Sequence, residues 1–101
     1  MRRRQAVFAE VARDQLRTAK IWWVENDLPV QILADEIEQA INVLALLPGA
    51  GSPYPQAKIA GLRHLYLRRV SSHLYYTFTR DVVTVPAFWH AKRGRSPFLP
   101  S

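Results

Sequence analysis

The sequence contains no cysteine, which excludes disulfide bonds and thiolate chemistry and is compatible with a reducing compartment. No apolar run approaches the roughly 20 residues that a membrane-spanning helix needs. Behind the basic start at residues 2–4, Glu10, Arg13 and Asp14 interrupt any stretch that could serve as a signal peptide. We therefore expect a soluble, cytoplasmic protein without a membrane partner.

Acidic side chains are scarce in the second half of the chain. Residues 51–101 contain eight lysines and arginines but only one acid, Asp81, whereas residues 1–50 contain six bases and seven acids. The whole excess of positive charge, +6 at neutral pH, therefore lies in one half, where tyrosines, tryptophan and three histidines are interspersed. This asymmetry predicts a basic, aromatic strand surface that binds an acidic or polyanionic partner.

The length of 101 residues, with 49% hydrophobic and 22% charged side chains, predicts one folded domain over residues 1–101. Residues 4–9 are typical of a short opening strand. From Glu10, apolar residues recur at steps of three and four, which predicts an amphipathic helix. The apolar face of this helix consists of Ala12, Leu16, Ala19 and Trp23. Asn26 and Asp27 are predicted to end this helix and to cap the N-terminus of the next one.

A second helix is predicted over residues 28–47, with Pro29 tolerated in its first turn and Pro48-Gly49 at its end. Its buried stripe is predicted to consist of Leu33, Ile37, Ala40, Ile41, Leu44 and Leu47. Because only a few residues separate the two helices, an antiparallel helical hairpin is expected. Three glycines and two prolines in residues 49–61 indicate a connecting loop.

Beyond this loop the hydrophobic period becomes two, which predicts strands at 62–69, 73–79 and 82–90 with a turn at Arg80-Asp81. Pro86 cannot donate a ladder hydrogen bond, so it predicts an edge position or a bulge. Residues 91–101 form a basic tail. The sequence thus predicts an α+β fold of order β-α-α-β-β-β, in which the helical hairpin covers one face of a small antiparallel sheet.

Strand alternation places His64, Tyr66 and Arg68 on one face of a strand, and His73 and Tyr75 on one face of the next. If these faces coincide, a cluster forms opposite the helices. Its side chains could provide the proton transfers of a metal-independent ribonuclease. The alternative is the ordinary polar face of a one-sided sheet.

Metal and nucleotide sites are not predicted. The three histidines at 64, 73 and 90 lack the spacing of metal ligands. Gly49, Gly51 and Gly61 precede no strand-to-helix junction, so they form no phosphate-binding loop. We expect no cofactor.

Several local strings, in this order and spacing, resemble the RelE/ParE toxin superfamily of type II toxin–antitoxin systems. They are Val7-Phe8 followed by Ile21-Trp22, Leu44-Ala45-Leu46-Leu47-Pro48, Gly61-Leu62-Arg63, Tyr75-Tyr76 and His90-Ala91-Lys92-Arg93. Two positions depart from the family pattern: Ala9-Glu10 stands where Ser/Thr-Pro is frequent, and Pro86 stands where a β-former is usual.

The resemblance implies one of two activities. RelE-like members cleave messenger RNA in the ribosomal A site, for which His73, Tyr75, His90 and Arg93 would be the catalytic candidates. ParE-like members inhibit DNA gyrase by binding. The position of the essential strand-three arginine of RelE-type nucleases corresponds to His73, which favours the ParE-like branch. A non-catalytic α+β nucleic-acid-binding module is a further alternative.

In either branch the resemblance implies a cognate antitoxin as partner and an oligomer in the form of a toxin–antitoxin complex. We expect the contacts with gyrase, or with the ribosome and messenger RNA, to come from basic residues of the second half. The predicted partner-binding residues are Arg63, Arg68, Arg69, His90, Lys92, Arg93 and Arg95.

Overall fold

The computed structural model describes residues 3–91, and it has the predicted α+β order with one additional short strand. The elements are β1 (Gln5–Phe8), α1 (Glu10–Glu25), α2 (Val30–Leu46), a 3₁₀ turn (Pro48–Ala50), β2 (Ser52–Pro53), β3 (Arg63–Leu67), a second 3₁₀ turn (Arg68–Val70), β4 (Ser72–Phe78) and β5 (Val82–His90). The predicted basic tail lies outside the described residues, apart from Ala91. The α+β prediction is confirmed.

The five strands form one mixed sheet in the order β1-β5-β4-β3-β2. The pairs β2–β3, β3–β4 and β4–β5 are antiparallel, whereas β1 pairs in parallel with β5. The expectation of a purely antiparallel sheet is therefore wrong for β1. A period of two identifies a strand but carries no information about its neighbour, and the partner of β1 is more than 70 residues away.

Both helices pack on the same face of this sheet and form the main core. The predicted apolar face of α1 is confirmed, with Ala12, Ala19 and Trp23 buried. The predicted buried stripe of α2 is confirmed with one correction: Leu47 is 55% exposed, and Ala45 is buried instead. Leu47 follows the last helical residue, so its side chain no longer obeys the 3.6-residue period.

The turn between the helices differs from the predicted cap. Helix α2 begins at Val30 after Pro29 and has no side-chain cap. Asp27 has a φ of 55° and lies in the tight turn, and the Asn26 side chain donates a 2.8 Å hydrogen bond back to the Trp22 carbonyl. Because the ring of Pro29 fixes its φ, the helix can begin directly after it without a capping hydroxyl or carboxylate.

Pro86 lies at a β-bulge, which is one of the two positions, edge or bulge, predicted for it. Ala87 is paired with Tyr75 and Thr84 with Thr77, so two residues of β5 oppose the single residue Tyr76. The bulge places Val83, Val85 and Phe88 on the same, helix-covered face. Past the end of β1, the Phe88 N–H donates to Gln15 Oε1 of α1 at 2.8 Å, which satisfies a backbone group that has no strand partner.

The segment predicted as a loop at 49–61 is anchored to the sheet at its start. The Tyr76 hydroxyl donates to the Pro48 carbonyl at 2.6 Å and accepts from the Gly51 N–H at 3.0 Å. The Arg63 guanidinium donates to the Gly51 carbonyl at 2.5 Å. These contacts position β2 as the short outermost strand of the sheet.

Candidate functional site

The sheet face away from the helices, which we call the outer face, is partly covered by the segment that follows β2. Leu62 of this segment packs with Tyr75 and Ala87 in a second, smaller buried cluster, to which Tyr54 and Ile59 also contribute. Tyr75 is only 3% exposed as a result. One end of the outer face is therefore closed, and the part near β3 remains open.

A cluster of rings, which we call the ring cluster, spans the closed and the open part of the outer face. It consists of His64 and Tyr66 on β3, His73 and Tyr75 on β4, and Tyr54 of the covering segment. His64 lies opposite Tyr75, and Tyr66 opposite His73. His64 Nε2 and His73 Nδ1 are 2.6 Å apart, with ring centroids at 4.9 Å, and Tyr66 packs on His73 at 4.8 Å. The alternation of β3 and β4 thus brings these side chains onto one face, opposite the helices.

The environment of the ring cluster shifts three pKa values. Burial lowers the pKa of His64, to which the neighbouring His73 adds a smaller effect, and burial lowers the pKa of His73. Burial, with a smaller effect of Tyr54, raises the pKa of Tyr75 to about 12. At neutral pH both imidazoles are therefore neutral and share one hydrogen bond, and Tyr75 is a neutral phenol.

These shifts predict a stability that depends on pH near neutrality. The pKa values of His64 and His73 are lower in the folded protein than their ordinary value of 6.5, so the unfolded chain binds protons more readily. The free energy of unfolding is expected to be highest above pH 6.5. It should decrease as the pH falls through the lowered pKa values that the two histidines have in the folded protein. Urea midpoints measured from about pH 8 to pH 5 test this, with a His64→Gln/His73→Gln variant as control. An equal slope in both proteins would contradict the prediction.

His90 is not brought together with His73 and Tyr75. It is paired with Ser72 on the helix-covered face, is 2% exposed, and packs on Trp22 with ring centroids 4.6 Å apart. The bulge at Pro86 accounts for this position, because one extra residue reverses the alternation of everything that follows it. Three of the four catalytic candidates are therefore divided between two faces, and the fourth, Arg93, lies outside the described residues.

The predicted partner-binding arginines are distributed differently from the expected basic layer. Arg63 points to the helix side, where it also donates to the Gly49 carbonyl at 3.3 Å. Arg68 and Arg69 lie exposed in the 3₁₀ turn between β3 and β4, and Arg80 lies in the turn between β4 and β5. The described strand residues of the outer face include tyrosine, tryptophan, histidine and threonine but no arginine or lysine, and these three exposed arginines lie at the strand ends. Lys92 and Arg95 lie outside the described residues, as does Arg93.

Tyr54 is the residue that sequence reasoning missed. It contacts Tyr75 edge-on, with ring centroids at 5.0 Å, and His64 at 5.7 Å. A weak signal was present, since Tyr54, Ala57 and Ile59 recur as apolar positions within a loop otherwise rich in proline and glycine. Within residues 3–91, no group of three or more potential ligands could hold a metal ion. In the same range no helix has the length and apolar character needed to cross a membrane.

Comparisons of the structure with solved structures find a similar fold in several toxin–antitoxin proteins. No protein-family model and no curated protein matches the sequence. The structure is similar to one from the chromosomal ParDE TA system of P. aeruginosa, at 15% identity and a TM-score of 0.69, covering 86% of this chain and 95% of that one.

Two further structures match over similar lengths. A structure of the toxin–antitoxin complex RelBE2 from Mycobacterium tuberculosis has 26% identity and a TM-score of 0.63, covering 89% of this chain and 93% of that one. The E. coli DinJ-YafQ toxin–antitoxin complex has 14% identity and a TM-score of 0.60, covering 93% and 99%. This shared fold over nearly the full length, together with the 26% identical relative, supports the resemblance of the chain to the RelE/ParE toxin superfamily.

Proposed function

We propose that this protein is the toxin of a type II toxin–antitoxin system and that it acts in the ParE-like manner, by binding DNA gyrase, while a cognate antitoxin holds it inactive. The toxin role is supported by the toxin–antitoxin structures that share its fold. The gyrase target is the finer part of the proposal and depends on the arrangement of the candidate residues.

The observation that carries the binding mode is the burial of two candidate catalytic residues. Tyr75 is closed in beneath the segment that contains Leu62, and His90 is buried beneath Trp22 on the opposite face. A general acid or base must come within hydrogen-bond reach of its substrate. Tyr75 has no such access in this conformation, and His90 lies on the opposite face of the sheet from His73 and Tyr75. Arg68 and Arg69, in contrast, are exposed and available for contacts with a partner protein.

A supercoiling assay tests the gyrase proposal directly. Purified protein in excess over DNA gyrase is expected to inhibit the supercoiling of relaxed plasmid. The Arg68→Ala/Arg69→Ala variant is expected to need roughly tenfold more protein for the same inhibition, because exposed interface charges contribute to association. Arg13→Ala, which removes an exposed arginine on α1, serves as the matched control. Unchanged supercoiling at toxin excess would refute the ParE-like proposal.

For the antitoxin we propose a docking site between α2 and β3. A groove of about 240 Å³ lies there, with Val43, Leu65 and Leu67 as apolar lining and Tyr66 beside them. Among the described residues, β2 pairs with Arg63 and His64 of β3. On that side, no described strand lies beside the rest of β3, so an extended segment of the antitoxin can add to the sheet there by main-chain hydrogen bonds. The exposed Val43 and Tyr66 would then be covered.

Co-expression of a neighbouring reading frame tests the antitoxin part. A short gene adjacent to this one, encoding a DNA-binding protein with an acidic tail, is expected to restore growth of cells that the protein alone arrests. Val43→Glu in the groove is expected to weaken that rescue, whereas Glu38→Gln, at an exposed position on the same helix, should not. Growth without arrest, combined with salt-sensitive binding to any duplex, would instead favour the nucleic-acid-binding alternative.

A RelE-like ribonuclease is the second candidate, favoured by the 26% identity to the RelBE2 structure and by the accessible His64–His73 pair. Primer extension on transcripts after induction distinguishes the two, because codon-phased cuts are expected only of the ribonuclease. In that case His64→Ala/His73→Ala should abolish the cuts. Cuts that persist in this variant would exclude the ring cluster as their source.

A further inference from the structure

A pocket separate from the ring cluster lies on the other side of the sheet, where the end of β5 meets the helical turn and the 3₁₀ turn after β3. Its volume is about 190 Å³, below the range of a few hundred Å³ that is typical of drug-sized ligands. We call it the tryptophan pocket; it is lined by Trp22, Trp23, Leu28, Arg69, Ser71 and His90, with Val70 at its base.

The polar groups of the tryptophan pocket include three hydrogen-bond donors. The Trp23 indole N–H is buried and has no hydrogen-bond acceptor among residues 3–91, and an indole can only donate. Arg69 adds a guanidinium that is 68% exposed and paired with Glu36 only at 3.4 Å. Ser71 adds a hydroxyl. A buried donor without an acceptor costs free energy until a ligand supplies one.

The backbone conformation of Ser71 also supports a functional role for the tryptophan pocket. Its φ of 49° and ψ of 46° are left-handed, a conformation that glycine adopts at far lower cost than serine. The surrounding structure holds it there, since the Ser71 carbonyl accepts from the Ala91 N–H at 2.7 Å. This strained residue is in the pocket lining, next to a buried histidine and a buried indole.

We propose that the tryptophan pocket binds a carboxylate carried on a short apolar or aromatic body. Arg69, Ser71 and the Trp23 indole provide donors for the carboxylate oxygens, and Trp22 and Leu28 provide apolar contact for the body. The volume suits one such group, either a free small carboxylate or a single acidic side chain of a partner protein. The proposal is independent of the gyrase target.

Indole N–H signals in ¹H–¹⁵N NMR spectra test this site with an internal control. The sequence contains three tryptophans; Trp22 and Trp23 line the pocket, whereas Trp89 packs on the outer face. Phenylacetate is expected to shift the Trp23 signal downfield and to move that of Trp22, while the Trp89 signal stays in place. Phenylacetamide, which has the same body without the charge, should bind more weakly.

Variants distinguish the carboxylate site from non-specific contact. Arg69→Gln is expected to raise the dissociation constant of phenylacetate roughly fivefold, as an exposed charge pair would, and Arg68→Gln in the same turn should leave it unchanged. Ser71→Gly should weaken binding while preserving or raising stability, because it relieves the left-handed strain.

A second arm identifies the source of the carboxylate. The peptide acetyl-Gly-Glu-Gly-amide presents a carboxylate only on a side chain, and tighter binding of this peptide than of phenylacetate would assign the pocket to a partner protein. Tighter binding of phenylacetate would assign it to small molecules. If neither probe moves the Trp22 or Trp23 signals, or if Arg69→Gln binds as well as the unmodified protein, the proposal is overturned.

Discussion

Replacing Gly51 by alanine is expected to lower the free energy of unfolding by about 3 kcal/mol, the sum expected for overpacking and two strained hydrogen bonds. An added Cβ would lie 2.6 Å from the His64 carbonyl oxygen and 2.7 Å from the Tyr76 hydroxyl. The first atom belongs to the backbone of β3 and cannot move aside without disturbing the sheet. The second is the hydroxyl that bonds to Pro48 and Gly51.

Gly49→Ala is the matched control for this prediction. It lies in the same turn, and no atom of residues 3–91 is within 4 Å of a Cβ added there, so the unfolding free energy of this variant should stay within about 0.5 kcal/mol of the unmodified protein. Urea denaturation of the three proteins measures the difference. Equal midpoints for the Gly51 and Gly49 variants would show that the anchor around Tyr76 does not hold the segment after α2 against the sheet.

Phe88→Ala is expected to cost about 4 kcal/mol of unfolding free energy, in the range of buried aromatic truncations. Phe88 is fully buried between the sheet and the helices. It occupies this place only because of the bulge at Pro86: strict alternation from Val83 and Val85 would bury Ala87 and Trp89 with them and expose Phe88. The free energy of unfolding lost in this variant therefore measures how much the burial of Phe88, which the bulge makes possible, stabilises the fold.

Phe78→Ala makes the same chemical change on the neighbouring strand and is the control. Phe78 is 40% exposed, and its ring contacts the Arg4 guanidinium at 5.7 Å, so its loss should cost about 1 kcal/mol or less. Thermal or urea unfolding of both variants checks the contrast. Similar losses at the two positions would mean that the faces of β4 and β5 are not arranged as described.

The local patterns of the sequence were sufficient for the elements and for much of the outer face. The apolar period of 3.6 located α1 and α2, because one face of each helix must be buried against the sheet. The period of two in β3 and β4 placed the rings of His64, Tyr66, His73 and Tyr75 on one face, because successive side chains of a strand point to opposite sides. The missing N–H of Pro86 was enough to predict an edge or a bulge.

The positions of His90, Tyr75 and Arg63 were decided by contacts between residues far apart in the chain. A single extra residue at the bulge turned His90 from the outer face to Trp22, and the sequence does not show which alternative Pro86 adopts. Tyr75 was closed off by a loop whose packing depends on Tyr54 and Leu62. Arg63 turned to the carbonyls of Gly49 and Gly51.

The sequence by itself determined which residues form helices and strands, since periodicity and backbone chemistry are local properties. Only the tertiary structure decided that β1 lies parallel to β5, which ring or guanidinium stays accessible, and that Trp22, Trp23, Arg69, Ser71 and His90 surround one pocket. These features arise from strand register and from pairings across dozens of residues, where one shift reverses every side chain that follows.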